Sequence, residues 1–127
     1  MDRMQAVVGL ALLWAALALA GEKNSIHEIL NKVDKVGEAA EKLTDSEMRR
    51  DVLLIREKIK MKIERSQLNH DQLAAANELL AFILRKIRDG KMTLSQVKHF
   101  IKFAQSNKLD RLLDTWDKNL LKMKRNV

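Results

Sequence analysis

The chain has 127 residues and 24 Lys/Arg against 17 Asp/Glu, a formal net charge of +7. It has no cysteine and no proline, which excludes a disulfide scaffold and a thiol nucleophile. Stability must therefore come from apolar packing, in a chain that almost nothing prevents from forming helices.

Met1 to Ala20 has the layout of a cleaved secretory signal. Arg3 and the amino terminus give a positive start, and an apolar run from Ala6 to Ala20 follows, interrupted only by Gly9. Ala18 and Ala20 are small residues at the two positions a signal peptidase reads. The run is 15 residues long, shorter than the roughly 20 a spanning helix needs. The expectation is a signal peptide over 1–20, no transmembrane segment, and a secreted, extracellular single domain over 21–127. N-glycosylation is not expected, because Asn24-Ser25 is followed by Ile26.

Four capping boxes divide the rest. A helix leaves its first amides unbonded, and Ser, Thr or Asn with Glu or Gln three residues later satisfies them reciprocally. The pattern occurs at Ser25/Glu28, Thr44/Glu47, Asn69/Gln72 and Thr93/Gln96. Each box precedes an apolar stripe of helical period. The first stripe is Ile26, Ile29, Leu30, Val33, Val36, Ala40 and Leu43. The second is Met48, Val52, Ile55, Ile59 and Ile63, widened by Leu54. The third is Leu73, Ala76, Leu80, Ile83, Leu84 and Ile87, stopped by Gly90. A short fourth stripe, Val97, Phe100, Ile101 and Ala104, ends at Asn107. The last runs through Leu109, Leu112, Leu113, Trp116, Leu120 and Met123 as one helix. No stretch alternates long enough to be a strand, and the linkers are short enough to fold neighbours back on one another. The expected fold is all-α: a compact bundle of four to five helices. Leu53, Met61, Phe103 and Leu121 are an apolar surplus beyond the stripes. They belong either to a wide core or to a ligand or partner surface.

Charge is uneven. Gly21 to Leu84 carries 11 basic and 12 acidic residues, whereas Arg85 to Val127 carries 12 and 4, a net of +8. Lys98 and Lys102 share one helix face and Lys118 and Lys122 another, each pair four residues apart. Like charges at that spacing repel, which points to an anionic partner such as an acidic protein surface or a sulfated glycan. The candidate contacts are Lys91, Lys98, Lys102, Lys118 and Lys122, with Phe103 or Trp116 as apolar anchor if exposed. Nucleic acid is excluded by export and by the scarcity of stacking aromatics, with three Phe and no Tyr.

Catalytic ingredients do not converge. His27-Glu28 begins like a zinc-protease helix, but Asn31 stands where the second ligand would be. His70 and His99 lie on other predicted helices. Nucleophile elbows and phosphate-binding glycine loops are absent. The sequence reads as non-enzymatic, with no cofactor and no metal site.

The signal at Met1 to Ala20, a mature chain of this length, and the Lys/Leu-rich segments Lys98-His99-Phe100-Ile101-Lys102 and Leu109 to Lys124 resemble the anophensin-type mosquito salivary proteins. Helical mite allergens share a similar layout. The resemblance implies binding of host plasma proteins and inhibition of contact activation (hemostasis) or complement. It carries over no site residue. Two readings follow: a protein-binding inhibitor, monomeric or homodimeric, that uses its basic C-terminal helices, and a carrier of a small apolar ligand held between helices. A carrier needs an internal cavity of about 300 Å³ or more.

Overall fold

The computed structural model describes residues 26–125. The signal peptide expected over 1–20 and the Ser25 half of the first capping box fall outside the described residues. Among the described residues there are six helices and no strand. They are α1 (26–41), α2 (Ser46–Glu64), α3 (His70–Arg88), α4 (Leu94–Gln105), α5 (Leu109–Asp114) and α6 (Trp116–Arg125). The all-α bundle expected from periodicity is the fold. Its helices share one core, in which α4 packs on α2 and α3 packs on α5.

The stripes supply that core. Val33, Val36, Val52, Ile55, Ile59, Leu79, Leu80, Ile83, Phe100 and Leu112 are all fully buried. At its centre three aromatics from α3, α4 and α6 meet. Phe82 stands edge-on to Phe100 at 6.0 Å and to Trp116 at 6.2 Å, and Phe100 lies 6.0 Å from Trp116. Such pairs add about 0.5–1.5 kcal/mol each beyond their buried area. A chain with few aromatics thus places them where they join three helices.

Two capping boxes form as read. The Asn69 side chain accepts from Gln72 N at 2.8 Å while Gln72 returns to Asn69 N at 2.9 Å. Thr93 and Gln96 do the same at 3.2 and 3.1 Å. The box expected at Thr44/Glu47 does not form. Asp45 caps α2, its carboxylate accepting from Met48 N at 3.0 Å. The start shifts by one residue because Asp is as strong a cap as Thr or stronger, and Glu47 is drawn away to Lys98 at 2.6 Å.

Three helices end alike, in a left-handed residue followed by a bond back across the last turn. Ser66, Gly90 and Asn107 have φ of 54°, 67° and 57°. Gln67 N, Lys91 N and Lys108 N then reach Lys62 O, Lys86 O and Phe103 O at 2.8–2.9 Å. These are Schellman stops. Gly90 and Asn107 were readable as such; Ser66 is an uncommon residue for the position.

The final stripe is not one helix. It breaks at Thr115, where φ is −112° and ψ is 26°. The Thr115 hydroxyl donates to Arg111 O at 2.7 Å, a back-bond that bends helices. The Asn119 amide donates to Thr115 O and to its hydroxyl oxygen, both at 2.8 Å.

α1 is fastened to its neighbours by polar bonds as well as by its stripe. Arg56 of α2 donates Nε–H to Val33 O at 2.7 Å. Its guanidinium lies across Gly37, where a Cβ would meet Arg56 Nε at 2.8 Å. Lys32 donates to Asn77 Oδ1 of α3 at 2.6 Å.

Candidate binding surface

The basic residues of the C-terminal third divide into those tied to the bundle and those presented to solvent. Lys98 belongs to the first group. Its Nζ lies 2.7 Å from Asp51 Oδ2 and 2.6 Å from Glu47 Oε1. The hydrogen bond to Asp51, then that to Glu47, holds the ammonium above the ordinary lysine value of 10.5. Asp51 is a buried carboxylate, its side chain only 7% exposed. Lys98 is therefore a clasp between α2 and α4, and the repulsion from Lys102 that suggested an external partner is answered within the chain. Lys86 is also engaged, 5.6 Å above the ring of Phe82.

Sequence reasoning missed Asp51. The signal was present: Asp51 sits three residues after Met48 and four before Ile55, inside the apolar stripe. A carboxylate there requires a partner, and Lys98 provides it.

Lys91, Lys102, Lys118 and Lys122 are exposed and form no ion pair among the described residues. The same holds for Lys108 and Arg111. Of the two aromatic anchors, Trp116 is 3% exposed and its indole N–H donates to Glu78 Oε2 at 2.7 Å. A side chain so placed is part of the core and offers no contact surface. Phe103 is half-buried, edge-on to His99 at 5.7 Å. Two large apolar side chains of this third are exposed among the described residues, Leu94 at 36% at the start of α4 and Leu121 at 56% on α6. Leu121 lies off the stripe of Trp116, Leu120 and Met123, and helical spacing turns it outward.

A polar seam joins α4 to α6. His99 Nε2 is 2.7 Å from Asn119 Oδ1. Both hydrogens of the Asn119 amide are committed to Thr115, so its oxygen faces the imidazole and Nε2 carries the proton. On α4, Lys102 and Phe103 lie one turn beyond His99. On α6, Lys122 lies three residues beyond Asn119, toward α4, and Lys118 lies four before Lys122 at the opposite margin of the same exposed face. Leu121 completes that face.

On the other flank lies a groove of about 420 Å³ between α3 and the α5–α6 bend, bordered by Asp71, Glu78, Asp114 and Asp117, with Lys118 at its rim. Four carboxylates thus gather on the flank of α6 that Lys118 borders. Four grooves lined by described residues open to solvent, while the side chains of the stripes pack in one core. His27 and His70 are exposed and on separate helices. Among the described residues no three His, Asp or Glu side chains are gathered as a metal site would need, and no helix is long and apolar enough to cross a membrane.

The chain matches no protein-family model, no curated protein and no solved structure.

Proposed function

We propose that the chain is a secreted, non-enzymatic binding protein whose contact face is the solvent side of α6 and the adjoining edge of α4. The observation that carries this reading is Leu121, 56% exposed, beside the exposed cations Lys118 and Lys122. Interfaces draw their energy from a few apolar anchors and their encounter rate from opposed charge. Lys102 and Phe103 extend the face across the His99–Asn119 bond. An acidic protein surface suits it better than a sulfated glycan, which would use the cations and leave Leu121 idle. The layout resemblance suggests a host plasma protein of contact activation or complement, inhibited by occupancy of its surface.

The test uses plasma. The purified protein should delay contact-triggered clotting or complement lysis. Lys118→Glu with Lys122→Glu should abolish the delay while the circular dichroism spectrum stays the same. An unaltered clotting time and unaltered lysis with the wild-type protein would end this reading.

A further inference from the structure

A second basic site lies away from the C-terminal face. A groove of about 370 Å³ runs between the end of α1 and the end of α3. Its rim carries Lys35, Lys42 and Arg88, all exposed, against a single carboxylate, Glu38. None of the three cations forms an ion pair among the described residues. Its floor is Ala39, Leu43 and Ile87, half-buried residues at the margin of the core.

Lys42, just past the end of α1, and Arg88, in the last turn of α3, suit the helix dipoles, which accounts for those two but not for Lys35, well inside α1. The dipoles do not account for the apolar floor that the three cations surround. Nor do they serve the helix ends directly. Ala39 O and Ile87 O accept from Lys42 N and Gly90 N at 3.1 Å, and Leu43 O accepts from Arg49 Nη1 at 3.0 Å. With those carbonyls satisfied, the floor presents alkyl surface and the rim presents unspent donors. Residues 35, 39 and 42 fall on one helical stripe, so α1 contributes both rim and floor from one face.

We propose that this groove binds a small amphipathic anion, an acidic head group on an apolar body, with the head held by Lys42, Arg88 and Lys35 and the body laid on Leu43 and Ile87. The volume falls within the range of small-molecule sites, about 300–1,000 Å³. A compact inorganic anion would leave the floor bare, and a neutral alcohol would leave the cations unpaired. The site is distinct from the α4–α6 face and does not depend on it.

Dodecanoate below its micelle concentration is the probe, titrated calorimetrically into the purified protein beside dodecanol and acetate. One-to-one saturable binding of dodecanoate, with dodecanol and acetate much weaker, is expected. Lys42→Ala with Arg88→Ala should weaken it at least tenfold, the equivalent of about 1.4 kcal/mol. Both side chains are exposed, so the helix content should persist. Lys118→Glu with Lys122→Glu should leave dodecanoate affinity as it was, which separates this site from the protein-binding face. Absence of binding, equal binding of dodecanol or acetate, or full affinity in the Lys42/Arg88 variant would each overturn the proposal.

Discussion

Replacing Gly37 by alanine sets two opposed terms against each other. Gly37 lies inside α1, where alanine is favoured over glycine by about 0.8–1.0 kcal/mol. On an open helix surface the substitution would stabilise. Here the new Cβ would meet Arg56 Nε at 2.8 Å and Cζ at 3.0 Å, the first of them closer than Cβ atoms sit. The guanidinium must swing away, and its 2.7 Å bond to Val33 O is lost. A hydrogen bond from a charged group is worth about 1.5–3 kcal/mol. Its ion pairs with Asp34 at 3.8 Å and Glu57 at 3.7 Å have exposed partners and add little. The loss exceeds the gain, and Gly37→Ala should destabilise by about 0.5–2 kcal/mol on these magnitudes. The decisive arm is the double-mutant cycle. With Arg56→Ala already present the obstacle is gone, and Gly37→Ala should then stabilise by about 0.8–1.0 kcal/mol. Urea denaturation with a common slope reads both steps. If Gly37→Ala has the same sign in the two backgrounds, the Arg56–Val33 clasp is not what makes glycine necessary.

The cap of α2 belongs to Asp45, so Asp45→Ala should cost about 0.5–2 kcal/mol in chemical denaturation; Thr44→Ala, at an exposed position, should change stability by less than about 0.5 kcal/mol. Leu80→Ala, at a side chain that is 0% exposed, should cost about 2–5 kcal/mol by the same measurement. Lys98→Met should destabilise through the unpaired Asp51, and its effect should depend on pH. A raised folded-state pKa means that the lysine stabilises in full below its ordinary 10.5. That contribution is lost as pH rises through the elevated folded value. The midpoints of wild type and Lys98→Met should converge only in strongly alkaline buffer; a constant gap there would show that the clasp is not ionic.

Periodicity made the helices legible because each stripe buries against a neighbour. The Asn69 and Thr93 caps were legible because both halves of each box have no competing partner. Thr44 failed where that condition failed: Asp45 stood next to it and Lys98 claimed Glu47. The break at Thr115 was hidden because the apolar spacing from Leu109 to Met123 runs through it undisturbed. Only the polar bonds among Arg111, Thr115, Asn119 and His99 divide it. The basic character of the C-terminal third was plain from counting, but a count cannot tell a spent charge from a presented one. Lys98 is spent on Asp51, a partner 47 residues away, and Trp116 on Glu78, 38 residues away. Such pairings are set by tertiary packing and have no local signature. Leu121 was legible as an apolar residue off the last stripe, but a count of apolar residues cannot tell a wider core from an exposed face.

The central claim is that an acidic partner docks on the face formed by Leu121, Lys118 and Lys122. The most direct measurement is the association rate, by surface biosensor, of the plasma protein retained by the immobilised chain. It would be read for wild type, Lys118→Glu/Lys122→Glu and Leu121→Asp. Charge steering should make the wild-type on-rate fall as salt shortens the screening length from about 10 Å at 0.1 M to about 3 Å at 1 M. The double reversal should associate more slowly at low salt, and Leu121→Asp should dissociate faster. An on-rate indifferent to both salt and the double reversal, with dissociation unchanged in Leu121→Asp, would contradict the account.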